Sequence, residues 1–169
     1  TLNDPTHAAF DPAVAFVGPS QMPLVVWVEY PYTAATVDLN DINAQLIRQE
    51  IFYSTWDGNA WHTPVRLTDD LLADGLPVLA GSADGATLAW TRDLDGNVQT
   101  QADQRIAVAQ FDPTSGQFGL LQLLNRGSGL NADVAVAYDS STSPARPYLA
   151  WVYDDDANPA TADDRHVAV

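Results

Sequence analysis

The chain has 169 residues, of which 46% are apolar, and it carries a formal net charge of −15. This length provides one hydrophobic core and at most two small domains, and such an acidic surface excludes nucleic acid and anionic membranes as favoured partners. The sequence contains no cysteine and no lysine, which excludes disulfides, thiolate zinc sites, Schiff-base lysines and phosphate-binding lysine loops.

Three segments share one pattern, in which a short apolar strand is followed by a polar turn and by a second strand centred on a tryptophan. The segments are 13–30, 77–93 and 133–154, and their tryptophans are Trp27, Trp90 and Trp151. Alternating apolar and β-branched residues predict strands rather than helices. One tryptophan at each strand centre is expected to pack between neighbouring sheets, with Val78, Leu88 and Ile106 near Trp90. Glu29 is expected at a solvated strand position.

A third and a fourth strand follow in the same order. Ile51, Ile106 and Val167 occupy equivalent positions in the third strands, which read EIFYST, RIAVAQF and RHVAV. The fourth strands read AWHTPVRLT and FGLLQLLNR. Segment 40–50 is expected to be a loop that connects strands. A repeating antiparallel unit of four strands predicts an all-β fold made of β-propeller-like blades.

This repeat divides the chain into four parts. Residues 1–10 are the tail of a preceding blade with its connector, 11–70 and 71–127 are full blades, and 128–169 is a partial blade. Propellers close with about four to eight blades, so we expect an incomplete ring with unpaired edge strands. The missing blades are expected on the rest of the same polypeptide or on other chains.

One hairpin carries a resemblance to a known family. Segment 53–64, YSTWDGNAWHTP, resembles the Asp-box of sialidase-like propellers, S-x-D-x-G-x-x-W. Ser54, Gly58 and Trp61 match that pattern, whereas Trp56 holds the aspartate position and Asp57 follows it. Asp57 is expected to bond turn amides, Gly58 to adopt a positive φ, and Trp61 to pack between sheets. The resemblance implies a fold; the family's arginine cluster, tyrosine nucleophile and acid match no residues here.

Two acidic loops follow the second strands of the second and third copies. Segments 93–103 and 154–164 place carboxylate and amide oxygens at alternate positions and end on a further acid. Calcium takes about six to eight oxygen ligands and tolerates irregular loops. The candidate ligands are Asp93, Asp95, Asn97, Asp103, Asp154, Asp156, Asn158 and Asp164, and the first copy offers Asp38 and Asn40. The alternative is an ordinary polar turn in an acidic protein.

The remaining candidate sites are aromatic. Trp56, Tyr30 and Tyr32 are expected in loops and are candidate glycan contacts. The three histidines lie at different repeat positions, so no shared metal centre is expected, and no catalytic residue is assigned. We therefore expect a non-enzymatic structural or binding segment of a secreted or cell-surface propeller that mediates assembly or binds a ligand such as a glycan. The alternative is a fragment of a sialidase-like glycoside hydrolase whose catalytic residues lie in the missing blades.

Overall fold

The computed structural model describes residues 2–32, 38, 40–127, 129–156, 158, 161 and 164–169. These residues form antiparallel strands and one short helix, which confirms the all-β prediction. The elements are β1 (Ala8–Val17), β2 (Met22–Tyr30), α1 (Ile42–Leu46), β3 (Glu50–Thr55), β4 (Val65–Arg66), β5 (Asp74–Ser82), β6 (Gly85–Arg92), β7 (Arg105–Asp112), β8 (Gln117–Phe118), β9 (Gln122–Leu124), β10 (Asn131–Asp139), β11 (Arg146–Asp154) and β12 (Arg165–Ala168).

The strands form three sheets that follow one another along the chain. The first sheet has the order β1-β2-β3-β4, the second β5-β6-β7-β8 with β9 also paired to β7, and the third β10-β11-β12. Neighbouring sheets pack face to face through β1 on β5 and through β10 on β5 and β6. Within the described residues the sheets do not close into a ring. The middle sheet is covered on both sides, and β6 therefore buries nearly all of its side chains.

The register of the second and third strands confirms the equivalence of the three copies. In each sheet the residue directly after the central tryptophan pairs with the third-strand residue that the sequence analysis placed at the equivalent position. These pairs are Val28–Ile51, Thr91–Ile106 and Val152–Val167. A one-residue slip would move every side chain to the other face, so identical register means that the three sheets orient their residues alike.

A β-bulge recurs at the same place in the first strand of each sheet. The register shifts after Phe10, Gly75 and Ala132. The next residue has a positive φ in each case, with values of 50° at Asp11, 53° at Leu76 and 50° at Asp133. Such bulges bend a strand and increase its twist. The repeat thus extends to a positive φ that the residue type does not predict, because a leucine occupies this position in the middle copy.

The hydrophobic core consists of two clusters, one on each side of the middle sheet. Trp90 and Leu88 belong to the cluster between the first and second sheets. Val78 and Ile106 belong to the cluster between the second and third sheets. The prediction that these two residues lie near Trp90 is therefore wrong. Trp90 is nevertheless fully buried, as expected, and Trp27 is almost fully buried.

Several elements differ from the sequence-based expectations. The first strand begins at Ala8, inside the segment assigned to the preceding blade and connector. The fourth strands are shorter than predicted, and in the first sheet only Val65–Arg66 pairs with β3. Pro64 directly precedes this strand and has no N–H to donate to a ladder. Segment 40–50 connects two strands as expected, but it contains helix α1, capped by the Asp41 side chain.

Candidate cation site

The acidic loop of the second sheet, segment 93–103, connects β6 to β7 and brings three carboxylates together. One oxygen each from Asp93, Asp95 and Asp103 lies within 4.8 Å of the other two. Two oxygens bound to one calcium ion at about 2.4 Å are at most about 4.8 Å apart, so all three can reach a single ion. The loop was predicted to supply these ligands, and the fold assembles them.

Asp93 is the buried anchor of this cluster. Its side chain is only 3% exposed, and its Oδ1 accepts a hydrogen bond from the Gly96 amide at 2.8 Å. Its Oδ2 is buried and has no hydrogen-bond partner. A buried, unpaired carboxylate oxygen is costly unless a cation or a proton satisfies it. Burial, followed by the negative charges of Asp103 and Asp95, raises the pKa of Asp93.

Backbone amides hold the other two acids in position. Asp103 Oδ2 accepts from the amides of Leu94 and Asp95 at 3.0 and 2.8 Å. Thr100 donates its hydroxyl to Asp95 Oδ2 at 3.1 Å and lies 3.3 Å from Asp103 Oδ1. The side-chain oxygen of Asn97 accepts from the Gln99 amide at 3.3 Å, and its role as a ligand stays a prediction. Three of the four predicted ligands of this loop therefore converge.

The acidic loop of the third sheet, segment 154–164, connects β11 to β12 and also brings three acids together. Asp154, Asp156 and Asp164 each offer one oxygen within 4.8 Å of the others. The Thr161 hydroxyl lies 3.3 Å from Asp156 Oδ1, and the Thr100 hydroxyl makes the corresponding contact with Asp95 Oδ2 at 3.1 Å. Asp164 Oδ1 is buried without a hydrogen-bond partner, and desolvation together with the charges of Asp154 and Asp156 raises the pKa of Asp164. Arg165 Nε lies 3.4 Å from Asp154 Oδ2.

As with Asn97, the ligand role of Asn158 stays a prediction. Its amide donates to Asp156 Oδ1 at 2.7 Å. In the first copy the Asn40 amide donates to Asp38 Oδ1 at 2.9 Å, and the described residues there assemble no group of three acids. The sequence analysis missed Thr100 and Thr161, although both lie seven residues after the first aspartate of their loops.

The candidate glycan contacts are not brought together. Tyr30 ends β2 rather than lying in a loop, and its ring contacts Tyr32 edge-on at a centroid distance of 5.8 Å. Trp56 directly follows β3 at the opposite end of the first sheet, where its amide donates to the Pro23 carbonyl at 3.0 Å. Its ring contacts Trp61 edge-on at 5.6 Å. Glycan binding by these residues stays a prediction.

The hairpin that resembles an Asp-box has the expected turn chemistry. Asp57 Oδ1 accepts from the amides of Asn59 and Ala60 at 2.8 and 2.7 Å. Gly58 has a φ of +99°, a conformation that favours glycine. Trp61 is partly exposed rather than packed between sheets. These contacts account for the turn and carry no implication for activity.

A third group of acids, which the sequence analysis did not identify, lies between the first two sheets. Glu50 in β3 is fully buried, and its Oε1 accepts from Arg66 at 2.8 Å. Asp74 in β5 is also fully buried and lies 3.2 Å from Arg92, which pairs with Asp70 as well. Burial raises the pKa of Asp74 to about 7, although Arg92 opposes the shift. Two arginines already offset most of the negative charge here, so this group is an ion network that joins two sheets.

Each central tryptophan donates its indole N–H to a polar side chain. Trp90 donates to Asp74 Oδ1 at 2.6 Å and Trp151 to Asn131 Oδ1 at 3.0 Å. Trp27 donates to Glu29 Oε2 at 2.7 Å. Glu29 is almost fully buried, so its prediction as a solvated residue is wrong. Its other oxygen pairs with His7, and the indole contact explains why a carboxylate is tolerated at this depth.

Neither a protein-family model nor a curated protein sequence matches this chain. Among the described residues, no helix is both long and apolar enough to cross a membrane.

Proposed function

We propose that this chain is a non-enzymatic, calcium-binding segment of a secreted or cell-surface repeat protein with β-propeller-like blades. The single observation that carries the proposal is the buried, unpaired Asp93 Oδ2 in a loop where three carboxylates lie within reach of one ion. The role is binding rather than catalysis, because the groups that converge in this loop are cation ligands. The second trio supports the same role, because it repeats the donor set.

Calcium is the cation that these ligands suit best. All three side-chain donors are carboxylates, which are hard oxygen ligands. The loop is irregular and holds its acids through backbone amides, so it supplies an adaptable coordination shell rather than the near-ideal octahedron that magnesium demands. Carbonyl oxygens and water would complete the shell. An extracellular location agrees with this assignment, because extracellular calcium modules bind at roughly 0.1 to 1 mM.

The blade-like part of the proposal rests on the repeated architecture. The first three strands of each sheet share their order, register and bulge position. A propeller blade is a small antiparallel sheet that packs face to face on its neighbours, and the first two sheets pack in that way. In this view each acidic loop links the second strand of a blade to the third, and bound calcium would hold that connection in one conformation.

The test compares thermal unfolding in calcium with unfolding in sodium at the same ionic strength. Calcium at 100 times its dissociation constant should stabilise the wild-type protein by about 2.7 kcal/mol for each site. Calorimetric titration should give two sites per chain. The variant Asp93→Asn/Asp95→Asn should lose one of them and keep the other. Magnesium should produce a smaller shift than calcium at equal concentration.

Asp112→Asn/Asp139→Asn is the matched control, because these two aspartates also accept turn amides, from Thr114 and Ser141 at 2.8 Å, but belong to no acidic trio. It removes two carboxylate charges, as the ligand variant does, and should leave both calcium sites intact. A wild-type protein that gains no more stability from calcium than from matched sodium would show that the loops are only acidic turns.

A further inference from the structure

Helix α1 of the first sheet contacts the acidic loop of the second sheet. The helix lies in segment 40–50, which connects β2 to β3, and the acidic loop, segment 93–103, is the same connection one sheet later. Asn43 in the helix makes two hydrogen bonds to this loop. Its Nδ2 donates to the Gly96 carbonyl at 2.8 Å, and its Oδ1 accepts from the Val98 amide at 2.9 Å. These partners lie 53 and 55 residues away along the chain, so the contact joins two sheets.

The two hydrogen bonds hold the backbone on both sides of Asn97. The Gly96 carbonyl belongs to the peptide group that precedes Asn97, and the Val98 amide belongs to the peptide group that follows it. The N–H of the preceding peptide group is the Asn97 amide, which donates to Asp95 Oδ1 at 2.7 Å. In a planar trans peptide group the N–H and the C=O point in opposite directions. Asn43 on the carbonyl side therefore fixes the direction in which the amide reaches the Asp95 carboxylate.

Gly96 connects the same contact to the buried anchor of the cation site. Its own amide donates to Asp93 Oδ1 at 2.8 Å. Its φ is +71°, and a Cβ at this position would lie 3.2 Å from the Leu71 carbonyl oxygen. The position of Gly96 is thus set by residues from two other segments of the chain. Asp93 and Asp95, the two carboxylates that Asn43 acts through, both belong to the trio within reach of one ion.

We propose that Asn43 is a positioning residue for the cation site of the second sheet, so that calcium binding there and the docking of α1 strengthen each other. This inference rests on the proposed calcium-binding function. Three converging carboxylates repel one another, and hydrogen bonds that hold their backbone in the bound arrangement reduce the cost of binding an ion. The β2–β3 connection of the first sheet holds no acidic trio among its described residues, and it supports the trio of the neighbouring sheet instead.

The acidic loop of the third sheet is an internal reference for this effect. Its turn has the same backbone contact, because the Asn158 amide donates to Asp156 Oδ1 at 2.7 Å, as the Asn97 amide does to Asp95. Both loop contacts of Asn43, however, are made to the second sheet. Loss of Asn43 should therefore lower the calcium affinity of one site. A residue with a purely structural role would leave the ratio of the two calcium affinities unchanged.

The test is calorimetric titration of the full chain with calcium at constant ionic strength, with one site active at a time. Asp156→Asn/Asp164→Asn disables the site of the third sheet, and Asp93→Asn/Asp95→Asn disables the site of the second. Asn43→Ala is then added to each of these two backgrounds. Far-UV circular dichroism establishes that all of the variants remain folded.

With the second-sheet site active, Asn43→Ala should weaken calcium binding about tenfold, within the range of about 5- to 150-fold that is typical of coupled sites. With the third-sheet site active, the same change should leave the dissociation constant unaltered. Asn59→Ala is the control, because Asn59 is an exposed asparagine in the β3–β4 hairpin at the opposite end of the first sheet. It should alter neither dissociation constant.

The coupling is reciprocal, so bound calcium should stabilise the docked helix by the same factor. The Ile47 amide donates to the Asn43 carbonyl within this helical segment at 3.1 Å. In the otherwise wild-type protein, calcium should slow hydrogen exchange of this amide severalfold, and Asn43→Ala should abolish the slowing. Equal calcium affinities with and without the Asn43 side chain, or an Ile47 amide that does not respond to calcium, would overturn this inference and leave the proposed function standing. A wild-type protein that binds no calcium would overturn both.

Discussion

Removing the ring of Trp90 tests whether the interface between the first two sheets is the stabilising centre of the fold. The side chain is fully buried, and its indole N–H donates to Asp74 Oδ1 at 2.6 Å. Trp90→Ala should lower the free energy of unfolding by ~3–5 kcal/mol, the usual cost of a large aromatic truncation in a core. Trp90→Phe keeps a ring but removes the donor, and it should cost about 1–3 kcal/mol because a buried carboxyl group loses one of its donors and keeps Arg92.

Trp151 provides an internal comparison for this prediction. It occupies the equivalent position in the third sheet and donates to Asn131, but it is only partly buried. Trp151→Ala should therefore cost clearly less than Trp90→Ala. The assay is equilibrium unfolding in urea followed by far-UV circular dichroism, since each substitution removes a fluorophore, and an unchanged m-value is the condition for comparing variants. Equal costs for Trp90→Ala and Trp151→Ala would refute the reasoning that burial between two sheets sets the magnitude.

Two further predictions concern the same interface. Gly81→Ala would bring a Cβ to 2.2 Å from the Phe16 carbonyl oxygen, so the melting temperature of this variant should fall by several degrees. In the control Gly119→Ala the nearest atom is 3.7 Å from the new Cβ, and this variant should melt within a degree or two of the wild type. Because burial raises the pKa of Asp74 to about 7, the folded state keeps a proton that the unfolded chain releases near pH 4. The unfolding free energy should therefore fall by up to about 4 kcal/mol between about pH 4 and pH 7 through this group. Asp74→Asn should remove that part of the fall. The prediction is wrong if urea titrations show that the unfolding free energies of variant and wild type change in parallel with pH.

Local patterns determined much of this protein. Alternating apolar residues around Trp27, Trp90 and Trp151 were enough to predict the second strands, because a strand exposes successive side chains to opposite faces whatever packs on them. The repeat also predicted that Ile51, Ile106 and Val167 occupy equivalent positions, which the pairing confirms. Asp57 and Gly58 predicted their turn for the same reason, since the interactions involve residues only two or three positions apart.

The acidic loops were determined partly by the sequence and partly by the tertiary structure. The spacing of Asp93, Asp95 and Asp103 identified candidate ligands, because the loop is short and its repeat in the third copy was visible in the sequence. Which carboxylate oxygens converge was decided by amides and hydroxyls of the folded loop. The buried, unpaired oxygen of Asp93, which carries the proposed function, exists only because the neighbouring segments cover it.

Tertiary structure alone decided the environment of the buried charges. Glu29 and Glu50 are the only glutamates of the chain and pair across β2 and β3, yet nothing adjacent to them in sequence indicates that both are buried. Their partners, among them His7 and Arg66, lie 22 and 16 residues away along the chain. The cost of burying a carboxylate is set by the groups that surround it in space, and a linear pattern records only the neighbours that a residue has along the chain.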